Sequence, residues 1–323
     1  MVPYVLTVDG RRLRYAVSDN EDAFGPDGPG SPPVWAVNIH GYFAGGGMYW
    51  RESARLAEDL GWRVINPSLP AFGGSDPLPW DDVSMTTLTE QISAIIDHVG
   101  AGPVVLLGHS MGGAVAAHYA FLHPERSLGV VYRDGVGTPA WKKRRGIVPF
   151  LIGPITPDIA AIMDLVLAIV IDLPDLFMGR ILSTVRSVLP DIRRNIRVVG
   201  RTMPIGSMLM ASDLSAEIRE LVEDQGMPIL PIWGILDRVT GNATAAEFAR
   251  VSGQKVQWVP GGHSWMLSRP QGQADVLRRL DLGREFLSAA YDRWRLLHGL
   301  RPASAADAPR ELIATQRKMR VVH

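Results

Sequence analysis

Residues 104–120 read VVLLGHSMGGAVAAHYA. Four apolar residues end in Gly108, a histidine and a serine follow, and the chain restarts at once in the small residues Gly112, Gly113 and Ala114. A continuous apolar run of this length suits a strand buried on both faces, and the alanine-rich segment after it suits a helix. The turn between them holds Gly-x-Ser-x-Gly, whose flanking glycines let a tight strand-to-helix turn lift a serine clear of the backbone. Ser110 is therefore expected to be presented for chemistry.

The surrounding chain repeats the strand pattern. Apolar runs at 34–39 (VWAVNI), 63–67 (RVINP), 104–108 (VVLLG), 128–133 (LGVVYR), 229–234 (ILPIWG) and 256–260 (VQWVP) are continuous rather than alternating, and helical patterns lie between most of them. Residues 86–99 are the clearest helix, with Leu88, Ile92, Ile95, Ile96 and Val99 on one stripe and Thr87 with Glu90 as an expected capping box. At the N-terminus, alternation around Asp9-Gly10 predicts a type I′ hairpin. Strand and helix in alternation predict an α/β fold, a doubly wound and mostly parallel sheet.

The alternation stops between Gly137 and Met227, where leucine, isoleucine, valine and methionine are punctuated by Pro149, Pro154, Pro157, Pro174, Pro190 and Pro204. Residues 1–136 and 227–300 are thus expected to form the core and 137–226 an inserted helical cap over the C-terminal ends of the strands. An amphipathic helix is expected at 273–298, and 301–323 reads as a mildly basic tail.

Composition narrows the function. The chain has 323 residues, with 33 lysines and arginines against 33 aspartates and glutamates, which offers nothing to attract a nucleic acid. Zero cysteines exclude disulfides and a thiol nucleophile. With no secretory pattern at the start, a cytoplasmic location is expected. The greasiest stretch, 158–173, has 16 residues and contains Asp158, Asp164 and Asp172 between Pro157 and Pro174; this is too short and too charged to span a membrane. Peripheral membrane contact through it is a weaker reading than burial in the cap. Neither a dinucleotide or phosphate-loop pattern nor metal-ligand spacing occurs, so no cofactor and no metal are expected.

A serine hydroxyl needs a base. Of eight histidines, only His263 lies late in the chain, in the glycine-rich loop after a strand (VQWVPGGHSW). His109 adjoins the serine, with its side chain expected to point away. For the acid that orients His263, Asp237 in ILPIWGILDRVTG is favoured and Asp134 in VVYRDGVG competes; a turn or capping role is the plain reading of whichever is not the acid.

From about Tyr4 to Leu297 the chain resembles the α/β-hydrolase fold superfamily in its capped, serine-dependent form. The stretch NIHGYFAGGGMYW is similar to the family's His-Gly segment after the third strand. The resemblance implies a Ser110–Asp237–His263 triad, a loop shaped by His40, and an oxyanion hole formed by the backbone N–H groups of Tyr42 and Met111. One departure stands in NPSLPAFGGSD, where Ser68 replaces a usual aspartate and Ala71 a usual glycine. Serine at the elbow argues against epoxide opening and dehalogenation, which use aspartate there. The expected function is hydrolysis of a carboxylic ester, or a related acyl bond, in a small to medium lipophilic molecule. The alternatives are cleavage of a carbon–carbon bond beside a ketone and ligand binding without turnover.

Overall fold

The computed structural model describes residues 1–142 and 181–303. Eight strands form one sheet in the order β1-β2-β4-β3-β5-β6-β7-β8. They are β1 (Val2–Val8), β2 (Arg11–Val17), β3 (Trp35–Ile39), β4 (Arg63–Pro67), β5 (Val104–His109), β6 (Ser127–Arg133), β7 (Ile229–Gly234) and β8 (Gln257–Val259). Strand β2 runs antiparallel to both its neighbours and all other pairs are parallel. The β1–β2 hairpin closes through Asp9 (φ 49°) and Gly10 (φ 75°), both left-handed, as the type I′ turn requires.

Every residue of β3, β5, β6 and β7 is buried, which is why these runs show no polar alternation. Successive side chains still divide between faces. Val37, Leu106 and Val130 join one core, while Ala36, Val105 and Val131 join the other. The first face is covered by α2 (Met85–Val99) and α3 (Met111–Leu122), the second by α1 (Trp50–Leu60). Helix α2 turns Leu88, Ile92, Ile95 and Ile96 inward, each contributing roughly 1.5–3 kcal/mol by burial. Its cap differs from the expected box: Ser84, in extended backbone, accepts from the Thr87 N–H at 3.0 Å. At the other end Gly100 (φ 68°) stops the helix in the left-handed conformation.

Between β6 and β7 the described residues are helical: α4 (Pro139–Lys142), α5 (Ile181–Ile196), α6 (Val199–Ala211) and α7 (Ser215–Glu223). The apolar stretch at 158–173 lies outside the described residues. Helix α7 packs on α3, joined at its base by Leu214 N–H to Gly137 O at 2.7 Å. After β7 come α8 (Gly241–Ser252), α9 (Trp265–Ser268), α10 (Gly272–Arg279) and α11 (Asp281–Leu297). The single helix expected at 273–298 is thus two. Leu280 (φ −94°, ψ 148°) is extended, and the break carries neither glycine nor proline to announce it. At Gly283 a Cβ would sit 2.0 Å from the Val276 carbonyl, so the two helices pack backbone to backbone.

Candidate active site

Ser110 occupies the turn between β5 and α3 at φ 54°, ψ −117°, outside the regions an L-residue prefers. The turn is held from three sides. Ser110 N–H donates to Arg133 O (2.9 Å), while Ser110 O accepts from Gly113 N–H (3.0 Å) and Val136 N–H (3.2 Å). The flanking glycines are forced by proximity. A Cβ on Gly108 would lie 2.3 Å from Gly112 O, and one on Gly112 would lie 2.3 Å from Ile39 O. Glycine at both positions lets β5, α3 and the end of β3 approach closely enough to hold the strained serine.

The loop after β3 lies directly against this turn, since a Cβ on Gly41 would meet the Ser110 Cβ at 3.1 Å. Tyr42 is therefore in the first loop beside the serine, and Met111 opens α3, where backbone N–H groups have no acceptor within the helix. His40 fixes the loop. Leu69 N–H donates to its Nε2 (2.9 Å), so Nδ1 carries the hydrogen and donates to Gly41 O (2.8 Å). Burial of this neutral ring pushes its pKa down to about 4, against a small upward pull from the Gly41 carbonyl. At the departure noted above, Ser68 Oγ accepts from Gly46 N–H (3.1 Å), and Ala71 takes φ 68° without being glycine.

His263 and Asp237 meet from the loops after β8 and β7, with Nδ1 of the imidazole 3.2 Å from Oδ1 of the carboxylate. Both are buried. Asp237 Oδ1 accepts from Val239 N–H (2.7 Å) and Thr240 N–H (3.1 Å), and Oδ2 accepts from the Thr240 hydroxyl. Burial pushes this carboxyl up, but the facing His263 and these donors outweigh burial and hold it below the usual carboxylate range.

Three residues outside the expected triad complete the surroundings, and of these the sequence did not single out Tyr49. His109 lies under His263, their rings 4.7 Å apart, and its Nε2–H donates to His263 O (2.8 Å). Its Nδ1 accepts from the Tyr49 hydroxyl (2.5 Å), and the same hydroxyl accepts from Gly41 N–H (3.3 Å). One relay therefore links the β3 loop, the elbow and the His263 loop, and His109, expected to point away, is its centre. Burial first, and the nearby His263 next, hold the His109 pKa far below that of a free imidazole. Asp134 is the third: wholly buried, it accepts from Gly234 N–H (2.8 Å) and Trp265 Nε1–H (2.7 Å). Asp134, Asp237 and His263 each place one donor atom within 4.8 Å of the others. Both carboxyl groups are already engaged by N–H and O–H donors.

The insertion reaches the same loop. Tyr42 OH lies 3.0 Å from both the carbonyl and the hydroxyl of Thr202 on α6. On α5, Asn195 Nδ2 donates to Phe43 O (2.8 Å) and Ala44 O (2.9 Å), and Asp191 accepts from Met48 N–H (3.1 Å). The glycines of FAGGGM are explained here, because a Cβ on Gly45 or Gly47 would sit 2.7 Å from Asp191 Oδ2.

Residues 36–150 match the model of the alpha/beta hydrolase fold family. Over 113 residues the chain is 34% identical to the lipase LipV of Mycobacterium tuberculosis, which covers 34% of this chain and 39% of that protein. Over 98 residues it is 32% identical to the 2-hydroxy-6-oxo-6-phenylhexa-2,4-dienoate hydrolase of Burkholderia cepacia, covering 29% and 34%. Both matches span well under half the length of these relatives. Among solved structures, an esterase from Exiguobacterium antarcticum aligns with TM-score 0.63 at 20% identity over 86% of this chain and 98% of that one. These proteins carry different names for their activities, and what the chain shares with them is the alpha/beta hydrolase fold.

Proposed function

We propose that the protein is a serine hydrolase that cleaves a carboxylic ester or related acyl bond of a small to medium lipophilic molecule. The observation that carries this reading is a strained, glycine-enclosed Ser110 next in the chain to His109, whose ring lies 4.7 Å from that of His263 in a buried His263–Asp237 pair at 3.2 Å. His263 takes the Ser110 proton as the hydroxyl attacks the carbonyl carbon, and Asp237 stabilises the imidazolium. The N–H groups of Tyr42 and Met111 bind the oxyanion; each such donor contributes about 3–4 kcal/mol to the barrier in comparable sites. His263 then protonates the departing alcohol, and a water that it activates releases the acid from Ser110. The insertion acts as a lid, a role supported by its bonds to the oxyanion loop through Thr202, Asn195 and Asp191. No metal or nucleotide enters this chemistry.

A p-nitrophenyl ester series from acetate to laurate tests it. Wild type is expected to hydrolyse part of the series, with the optimum length sizing the pocket. Ser110→Ala is expected to lose roughly a millionfold in kcat, the scale on which a triad serine acts. The match to the dienoate hydrolase favours a second reading, carbon–carbon cleavage beside a ketone. Turnover of such a ketone without turnover of any ester would select it. A folded wild type inert towards both, but stabilised by a lipophilic ligand, would instead mark a binding protein.

A further inference from the structure

Behind the Asp237 carboxylate lies a second one. Asp134 follows β6 in a left-handed turn (φ 46°), fully buried, with a carboxyl oxygen within 4.8 Å of one of Asp237. Two buried carboxyls this close resist ionising together, which favours one of them holding a proton. The donors decide which side holds it. Asp237 faces His263 and accepts from Val239, Thr240 N–H and the Thr240 hydroxyl, which favours the charge there. Asp134 accepts from two N–H groups, but burial and the neighbouring Asp237 charge push it well above the ordinary carboxylate range.

The other ionisable groups around Asp134 leave this division intact. Arg133, next in the chain, spends its guanidinium on Glu52 (2.6 Å) and Asn38 (2.7 Å) across the other face of the sheet. His109 is held neutral by Tyr49 and the His263 carbonyl. His263 is within direct reach, with one nitrogen inside 4.8 Å of an Asp134 oxygen, and the buried Tyr49, its pKa pushed up chiefly by burial, also feels the Asp134 carboxyl.

We propose that Asp134 is a reserve acid for this site. In the native protein it positions Asp237 by donating its carboxyl O–H to the Asp237 carboxylate. When Asp237 is neutralised it releases that proton to solvent, and its own carboxylate then faces the His263 imidazolium. The proposal rests on His263 serving Ser110 as its base.

Its test compares kcat/KM for the best ester in wild type, Asp134→Asn, Asp237→Asn and the double variant, with Ser110→Ala as a control. Loss of a single, unassisted triad aspartate costs about 10⁴-fold. Here Asp237→Asn is expected to lose only about a hundredfold and Asp134→Asn about tenfold or less, while the double variant falls the full 10⁴-fold. The acid limb of the rate profile should move to lower pH in the double variant than in Asp237→Asn, because the imidazolium has then lost its last carboxylate. A purely structural Asp134 would not move that limb.

An Asp237→Asn as inactive as the double variant would overturn the proposal, as would an Asp134→Asn as damaged as Asp237→Asn. Should Asp237→Asn fail to fold, Asp237→Ser carries the same comparison. The rate at which a fluorophosphonate labels Ser110 reads the same series without needing a substrate. Full activity in Ser110→Ala would instead sink the underlying hydrolase reading, whatever the aspartate variants do.

Discussion

Arg133 and Asp134 are successive residues, one basic and one acidic and both fully buried, yet they belong to opposite kinds of site. Arg133 turns towards α1, where Glu52 and Asn38 engage both of its terminal nitrogens and Leu107 O accepts at 3.0 Å. Asn38 also donates to Glu52 (2.9 Å) and Ser53 (2.9 Å), and Ser53 donates to Asn66 (2.7 Å). This network ties β3, β4, β6 and α1 together with its charges matched. Asp134 instead faces another carboxyl. The first arrangement is suited to holding strands in place; the second buries two acidic groups together at a cost, as expected where chemistry is done.

If the division is real, variants on the Arg133 side should change stability far more than turnover. The largest effect is expected from Glu52→Ala, which leaves the Arg133 guanidinium buried without its carboxylate. Removing one partner of such a pair costs about 3–5 kcal/mol, a large share of a domain's net stability. Chemical denaturation should show the midpoint falling by that amount, while kcat per folded molecule at low temperature stays close to wild type. A kcat that collapses while the midpoint holds would break the comparison, because it would assign the network to the site.

The pH dependence of stability sharpens the other side. His40 folds as a neutral ring with its pKa lowered from 6.5 to about 4 by burial. A depressed folded value means full stability above 6.5, lost as pH falls towards 4, because the unfolded state takes up the proton first. Across that window the loss amounts to about 3 kcal/mol. His109, also lowered by burial, adds loss in the same direction. The difference in stability between wild type and His40→Asn, followed from pH 7.5 to 4.5, isolates the His40 share, since other titrations cancel. The variant should start below wild type at neutral pH, having lost the acceptor for Leu69 N–H, and close the gap as pH falls. A gap that stays constant would show that His40 titrates alike in both states.

How much of this could be read in the sequence follows the range of the interactions. Strands β3 to β7 show as continuous apolar runs because both faces of each are buried, and the Asp9-Gly10 hairpin shows because its turn demands left-handed backbone. The elbow is visible for the same local reason: Gly108 and Gly112 leave room that a Cβ would fill. His263 and Asp237 meet at 3.2 Å from the loops after β8 and β7, as their strand-end positions suggest. Asp134 could be named only as a rival to Asp237, because nothing local says that the two carboxyls come within 4.8 Å of each other. His109 and Tyr49 are 60 residues apart and meet only in the fold. Asp191 and Asn195, one turn apart on α5, resemble an ordinary solvated helix face until the glycines of the β3 loop are seen packed against them. The break at Leu280 is a packing decision between α10 and α11.

Tyr49→Phe gives the smallest effect and probes the join between the two sides, since Tyr49 precedes α1 but its hydroxyl serves the site. The ring packing survives; what disappears is a donor to His109 Nδ1 and an acceptor for Gly41 N–H. Leaving such buried groups unsatisfied costs about 1–3 kcal/mol. The consequence for turnover runs through geometry, because the freed His109 no longer fixes the carbonyl of His263, and Gly41 no longer anchors the loop carrying Tyr42. About a tenfold fall in kcat, equivalent to 1.4 kcal/mol of barrier, is expected, with KM nearly unchanged because no substrate contact is removed. A loss confined to stability would mean that the relay through His109 holds the fold alone and that the site keeps its geometry without it.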